Sequence, residues 1–381
     1  MKNDVLHKTI NVNFINGAYC YINDNVSNQD IVLPSSIKYE IKFINKKTNI
    51  VEASNIISSN RWLRTLKKYY IDWRIEIYTN NTLIYEHDIN LNDKTVYIVI
   101  DSSSLGDTLA WVPYAEEFRK KHNCKVICST YFNDLIKEKY TDITFVQPDE
   151  YHNTYARYEV GWFKNGDGSV DYNTIPCDFK KHPLQKAAAD ILGLEYTEIK
   201  PKIKLHDNIQ KKNIVSIAIH STAQAKYWNN PTGWQDVVNY LNKKNYEVVL
   251  LSIEDSGYGG NIHPIGIRQL PKLGIDNVIK TLQESKLFIG GSSGLTWLSW
   301  AAGTPTILIS GVSDVYTEMT SNIVRIRTAE NKCFACSNTH PFDRNDWNWC
   351  PEHKGTDRQF ECTKSITSEI VIKSIENLFN L

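Results

Sequence analysis

The rhythm of apolar and polar positions changes once decisively along this chain. Up to about residue 93, stretches such as KTINVNFI, YCYIN, IKYEIKFI and WRIEIYTN alternate apolar with polar residues, and Asn/Asp-rich turns (NGA, TNN) separate them. Period-two alternation with short connections predicts antiparallel strands in a sandwich or small barrel. Residues 1–93 contain no cluster of catalytic residue types and read as a β-rich packing or oligomerisation domain. From residue 94 the pattern becomes strand, turn, helix. VYIVID (96–101) is a continuous apolar run, as expected of a strand buried on both faces, and a Ser/Gly turn after it opens into a helix. KVICS, a helix around FNDLIKEKY, ITFVQP and the helix HPLQKAAADILGL complete an α/β lobe over 94–200.

A second set over 201–330 runs NIVSIAIH, WQDVVNYLNKK, EVVLLSIE, DNVIKTLQES, KLFIGG, LTWLSWAAG and PTILIS. Strands alternating with helices predict parallel sheets with right-handed crossovers. The fold class expected is therefore α/β, with two Rossmann-like lobes facing a cleft behind an N-terminal β-rich domain. Ligands of such sheets bind beyond the carboxyl ends of the strands. Residues 331–364 form a cysteine-rich insertion, and 365–381 (ITSEIVIKSIENLF within it) an amphipathic helix.

Composition narrows the function. Forty-three acidic residues balance 43 Lys+Arg, so no polyanionic partner is indicated and a nucleic-acid-binding role is disfavoured. No stretch reaches the ~18 apolar residues of a membrane span. The first residues, MKNDVLHKTINVNF, lack the features of a secretory signal. A cytoplasmic location follows as the expectation, and clustered thiols there more often hold metal than form disulfides.

Three loops at strand ends carry candidate chemistry. In SSSLGDTLAW, Asp107 follows Gly106 where a strand turns into a helix. It suits a helix N-cap, or a general base at the mouth of the cleft. In HSTAQAKYWNN, Ser221, Thr222 and Lys226 offer hydroxyls and an ammonium to a diphosphate; the alternative is a solvated lysine beside a structural Trp228. In GGSSGLTWLSWAAGTP, Ser292, Ser293 and Gly294 lead into a helix with Thr296 in its first turn, where small residues and free N–H groups suit a phosphate. The spacing is neither the dinucleotide-binding nor the Walker pattern. A nucleotide-diphosphate sugar and an acceptor hydroxyl would use all three loops.

The cysteines Cys333, Cys336, Cys350 and Cys362 begin with a Cys-x₂-Cys pair, and four thiolates complete a tetrahedral site for iron or zinc. Four protein ligands leave no open position, so the metal's role is to staple a loop without a core. His340 and His353 are read as loop residues.

Taken in order, SLGDTLAWVPYAEEF (104–118), HSTAQAKYWNN (220–230), GGSSGLTWLSWAAGTP (290–305) and the four-cysteine insertion resemble the bacterial autotransporter heptosyltransferases. More distantly they resemble the lipopolysaccharide heptosyltransferases of the two-lobed GT-B fold. The likeness spans essentially the whole chain, although the gaps before the third and fourth cysteines are shorter than is usual in that family. It implies inverting transfer of heptose from ADP-glycero-manno-heptose to Ser or Thr of β-helical autotransporter adhesins in the cytoplasm. It also implies iron as the metal and a large homo-oligomer. Asp107 matches the family's proposed base and Lys226 the lysine that neutralises leaving ADP. Ser292, Ser293, Gly294 and Thr296 match the loop around phosphates and sugar; Trp228 and Trp297 are candidates to wall the donor pocket. No D-x-D motif lies at a plausible Mg²⁺ site, which fits metal-independent transfer. Two rivals remain: a same-fold transferase using another nucleotide sugar, and a non-catalytic Cys₄ metal ribbon that binds nucleic acid.

Overall fold

A computed structural model describes residues 7–25, 37–150, 152–272, 274–328 and 331–379. The N-terminal part is β-structure throughout: β1 (His7–Ile15), β2 (Tyr19–Asn25), β3 (Lys38–Asn45), β4 (Ile50–Ser58), β5 (Arg61–Arg64), β6 (Trp73–Thr79) and β7 (Thr82–Asp88). The chain then alternates through β8 (Thr95–Val99), α1 (Leu105–His122), β9 (Lys125–Ser129), α2 (Asn133–Ile136), β10 (Ile143–Val146), β11 (Ala156–Glu159) and α3 (Leu184–Ile191). A second alternation follows with β12 (Ile214–Ala218), α4 (Gly233–Lys243), β13 (Glu247–Leu250), β14 (Arg268–Gln269) and α5 (Ile275–Glu284). It continues through β15 (Leu287–Gly290), α6 (Gly294–Ala302), β16 (Thr306–Ile309) and β17 (Ile323–Ile326). Two single turns of helix, α7 (Cys336–Thr339) and α8 (Glu361–Lys364), lie in the cysteine-rich segment before the last helix, α9 (Ser368–Phe379).

Three sheets result, giving a mixed α/β fold. One has seven strands in the order β10-β9-β8-β11-β1-β2-β5; one has six, β14-β13-β12-β15-β16-β17; one has four, β4-β3-β6-β7. The six-stranded sheet is parallel throughout. Its strands are apolar on both faces because helices cover both: every residue of β12, β15 and β16 is buried.

The strands of residues 1–93 do not all pair with one another. β1 pairs in parallel with β11 (Phe14 opposite Ala156), and β2 and β5 extend that sheet antiparallel. Only β3, β4, β6 and β7 form a separate antiparallel sheet. Its inner face is the alternate set Tyr39, Ile41, Phe43, Ile75 and Ile77, all fully buried, as period-two patterning requires.

Helix α1 positions the site. Leu109, Ala110, Trp111 and Val112 are all buried, and four consecutive residues go round the whole circumference, so α1 is enclosed rather than laid on a surface. Its polar atoms are tied: Trp111 Nε1 donates to the Leu184 carbonyl (2.9 Å) and the Tyr114 hydroxyl to that of Thr197 (2.7 Å). Burial of each Leu- or Phe-sized side chain stabilises by about 1.5–3 kcal/mol. The N-terminus of α1 is thus held on a rigid rod. Among the described residues no helix is long and apolar enough to cross a membrane.

Candidate active site

Asp107 occupies the first turn of α1, but Ser104 is the N-cap residue and makes no side-chain cap bond. The carboxylate instead accepts a hydrogen bond at Oδ2 from the Ser102 hydroxyl, 2.6 Å away. Burial raises the Asp107 pKa above the usual carboxylate range; the Ser102 hydrogen bond and the charges of Lys226 and Arg344 oppose the rise without cancelling it. The neighbouring acid, Asp101, is turned away onto the Ser129 hydroxyl (2.6 Å).

The second loop leaves β12 and closes in a short turn at 224–226. Lys226 reaches back to the Thr222 hydroxyl (3.4 Å), and its ammonium lies 5.4 Å from the centre of the Phe342 ring. Burial lowers its pKa, Asp107 and Glu318 draw it up, and Arg344 lowers it further. Ser221, near the start of this loop, is half-buried.

In the third loop Ser293 is the N-cap residue of α6, with extended backbone and no side-chain cap bond; its hydroxyl oxygen is buried and has no partner among the described residues. Ser292 donates to Glu318, an acid 5 % exposed. Glu318 also pairs with Arg325 and accepts from the Ser313 hydroxyl (2.9 Å). The loop is therefore braced from below by a buried ion pair that sequence reasoning missed. Gly294 follows directly as the first residue of α6.

Two glycine contacts join the loops. A Cβ on Gly106 would stand 3.1 Å from Trp297 Cδ1 and 3.5 Å from Gly294 Cα, while one on Gly294 would stand 3.0 Å from Leu105 Cβ and 3.2 Å from the Gly106 nitrogen. The N-termini of α1 and α6 thus meet glycine to glycine. A Cβ on Gly291 would come within 2.7 Å of the Lys226 carbonyl, so loops two and three also pack backbone to backbone. The result gathers Asp107, Lys226, Ser292, Ser293 and Gly294.

Three of the residues expected around the donor have buried side chains. Trp228 is 3 % exposed, packed edge-on against Trp234, with its indole N–H on the Ile366 carbonyl (2.9 Å). Its position two residues past Lys226 turns it into the core. Thr296 is fully buried, and its hydroxyl caps the Gly291 carbonyl (2.5 Å). Both support the loops from within. Trp297 is likewise buried against Trp300 and Gly106.

The cysteine-rich segment packs as a small core: Cys336, Cys350, Trp349 and Phe360 with Ala225 and Val312. All eight cysteines are free thiols. Burial, then Cys333 and Cys350, push the Cys336 pKa up to about 12; burial, then Cys333, Cys336 and Cys350, raise that of Cys362. The four thiols therefore lie within one another's field. The tightest ligand group among the described residues differs from the expected four: it is Cys333, His353 and Glu361, with ligand atoms within 4.8 Å of one another. His353, expected to be a bystander, sits 3.5 Å from Glu361.

The profile of glycosyltransferase family 9 (heptosyltransferase) matches residues 178–342. The chain is 37 % identical over 343 residues to the autotransporter heptosyltransferase Aah of Escherichia coli, covering 86 % of each chain. It superposes with a TM-score of 0.87 on the crystal structure of the iron-containing dodecameric glycosyltransferase TibC of enterotoxigenic E. coli H10407, at 32 % identity, covering 98 % of this chain and 96 % of TibC. A second TibC structure, in complex with ADP-D-beta-D-heptose, matches with a TM-score of 0.86, again at 32 % identity, covering 98 % of this chain and 97 % of that one. The chain belongs to the autotransporter heptosyltransferase family, and it is a glycosyltransferase.

Proposed function

We propose that this protein transfers heptose from an ADP-linked heptose to Ser or Thr hydroxyls of a β-helical autotransporter adhesin, in the cytoplasm, with inversion at the anomeric carbon. In this reading the parallel parts of the two larger sheets are the Rossmann-like lobes of a GT-B enzyme, acceptor side at Asp107 and donor side at Lys226 and 292–294. The observation that carries it is the convergence of one carboxylate, one lysine and a small-residue helix N-terminus through the two glycine contacts.

Asp107 accepts the acceptor's hydroxyl proton as that oxygen attacks the anomeric carbon. The bond from that carbon to the ADP oxygen breaks on the opposite face, and its electron pair leaves with ADP. Lys226 and the free N–H groups opening α6 neutralise the departing diphosphate, with the orphan Ser293 hydroxyl as a further donor. Burial suits both charged groups to this work: it raises the carboxyl toward the pH at which a base is effective, and it strengthens the ammonium's field.

Cys333, Cys336, Cys350 and Cys362 fit one thiolate-held metal, iron or alternatively zinc, on the grounds that all four sense one another's charge and three are buried. The metal would cross-link residues 331–364. A homo-oligomer is supported by exposed apolar side chains on the four-stranded sheet and its neighbour, among them Ile56 (62 % exposed) and Trp62 (56 %).

The test is transfer from ADP-heptose to a purified passenger by the wild type and Asp107→Asn. Loss of transfer with ADP binding retained is expected, and transfer at the wild-type rate would remove Asp107 from the mechanism.

A further inference from the structure

The cysteine-rich segment lies across the donor loops. The Gln224 N–H donates to the Trp347 carbonyl (3.1 Å), and the Trp347 ring packs edge-on against Tyr227 and Tyr258, centroids 5.8 Å apart in each case. Phe342 rests on Trp349 (4.9 Å) and beneath the Lys226 ammonium. Pro341 touches the other side of the cleft, 3.5 Å from where a Cβ on Gly168 would stand. Between these anchors stands Arg344, exposed, and with no hydrogen bond or ion pair among the described residues. Its charge nevertheless acts on Asp107, on Lys226 and on Lys164.

An exposed guanidinium stays solvated and needs no carboxylate partner, so the Arg344 fork is free to take an anion that enters beside Lys226. A departing nucleoside diphosphate carries more than one negative charge, which a single lysine does not match. A guanidinium provides the planar fork that binds phosphate oxygens in pairs. Resting on the heptosyl-transfer reading above, we infer that Arg344 is a second cation for the ADP diphosphate, which makes the cysteine-rich segment a wall of the active site as well as a staple. The residue acts by contact with the phosphates, so its contribution is felt by ADP and not by adenosine.

The experiment is calorimetric titration of ADP and of adenosine into the metal-loaded wild type, Arg344→Gln, Arg344→Lys and Lys226→Gln, with bound metal quantified in each sample. Expected is ADP binding weakened about tenfold or more in Arg344→Gln, partly restored in Arg344→Lys, with adenosine affinity and metal content unchanged. Equal ADP affinity in the wild type and Arg344→Gln, while Lys226→Gln loses it, would overturn the inference and leave the transferase reading standing. A parallel fall for adenosine would overturn it too, by showing a merely structural effect. A wild type that binds no ADP would sink both.

Discussion

Replacing Gly294 with Ala probes the joint between the two halves of the site. The added methyl would lie 3.0 Å from Leu105 Cβ and 3.2 Å from the Gly106 backbone nitrogen, against the 3.4 Å or more of ordinary contact. The Gly106 nitrogen is backbone, and the enclosed α1 leaves little room to yield, so the helix N-termini must part by a few tenths of an ångström. Overpacking of this kind costs about 1–3 kcal/mol. Alanine in place of glycine in a helix returns about 0.5–1 kcal/mol. The net destabilisation is therefore about 0–2.5 kcal/mol, a shift of a few degrees in Tm at most for a chain this long. Activity responds more steeply, because a misplacement of about 1 Å between reacting groups can cost about 100-fold. A loss of roughly tenfold in kcat follows for the smaller displacement. Steady-state transfer kinetics and thermal unfolding on the same preparation test this. Wild-type kcat with a raised Tm would show that the glycine contact does not set the distance from Asp107 to the donor loop.

Further outcomes follow from the charges and the thiols. Transfer should rise with pH through the raised pKa of Asp107, above the usual carboxylate range, because the base must be ionised. By linkage, a carboxyl whose folded pKa is raised favours the fold below its unfolded pKa and loses that contribution as pH rises through the folded value. Asp107→Asn should therefore match or exceed the wild-type Tm at neutral pH and lose any advantage below about pH 4; a large Tm loss at neutral pH would mark Asp107 as structural. Glu318→Ala strands Arg325, 11 % exposed, without its carboxylate, and urea unfolding should show a loss of about 3–5 kcal/mol; an unchanged midpoint would refute the bracing role. Removing the proposed metal with a chelator should lower Tm and open residues 331–364 to proteolysis. Equal resistance with and without metal would contradict the staple.

Fold and site were unequally legible in the sequence. Strands such as β8, β12 and β16 announce themselves because burial on both faces demands unbroken apolar runs. The pairing of β1 with β11 is invisible in the sequence, since Phe14 and Ala156 lie 142 positions apart and ARYE is too short to show a period. Asp107, Lys226 and the Ser-Ser-Gly loop can be singled out as candidates because each follows a strand of a parallel sheet, where loops converge. Glu318, Arg325 and the proposed Arg344 carry no such signal, because each lies in a loop or strand with no motif of its own. Trp228 and Thr296 sit within the right motifs but on inward-facing positions, which adjacency in sequence does not disclose. Spacing indicates a four-thiol group, whereas the structure also brings His353 and Glu361 within 4.8 Å of Cys333, from a segment whose path no periodicity encodes.

The central claim, heptose transfer to protein by the Asp107 and Lys226 site, is tested most directly by intact mass of a β-helical passenger co-expressed with this protein in cells that make ADP-heptose. The account predicts increments of one heptose residue per modified site, absent when Asp107→Asn replaces the wild type. An unmodified passenger in cells shown to hold the donor, with an acceptor that a related transferase does modify, would contradict it.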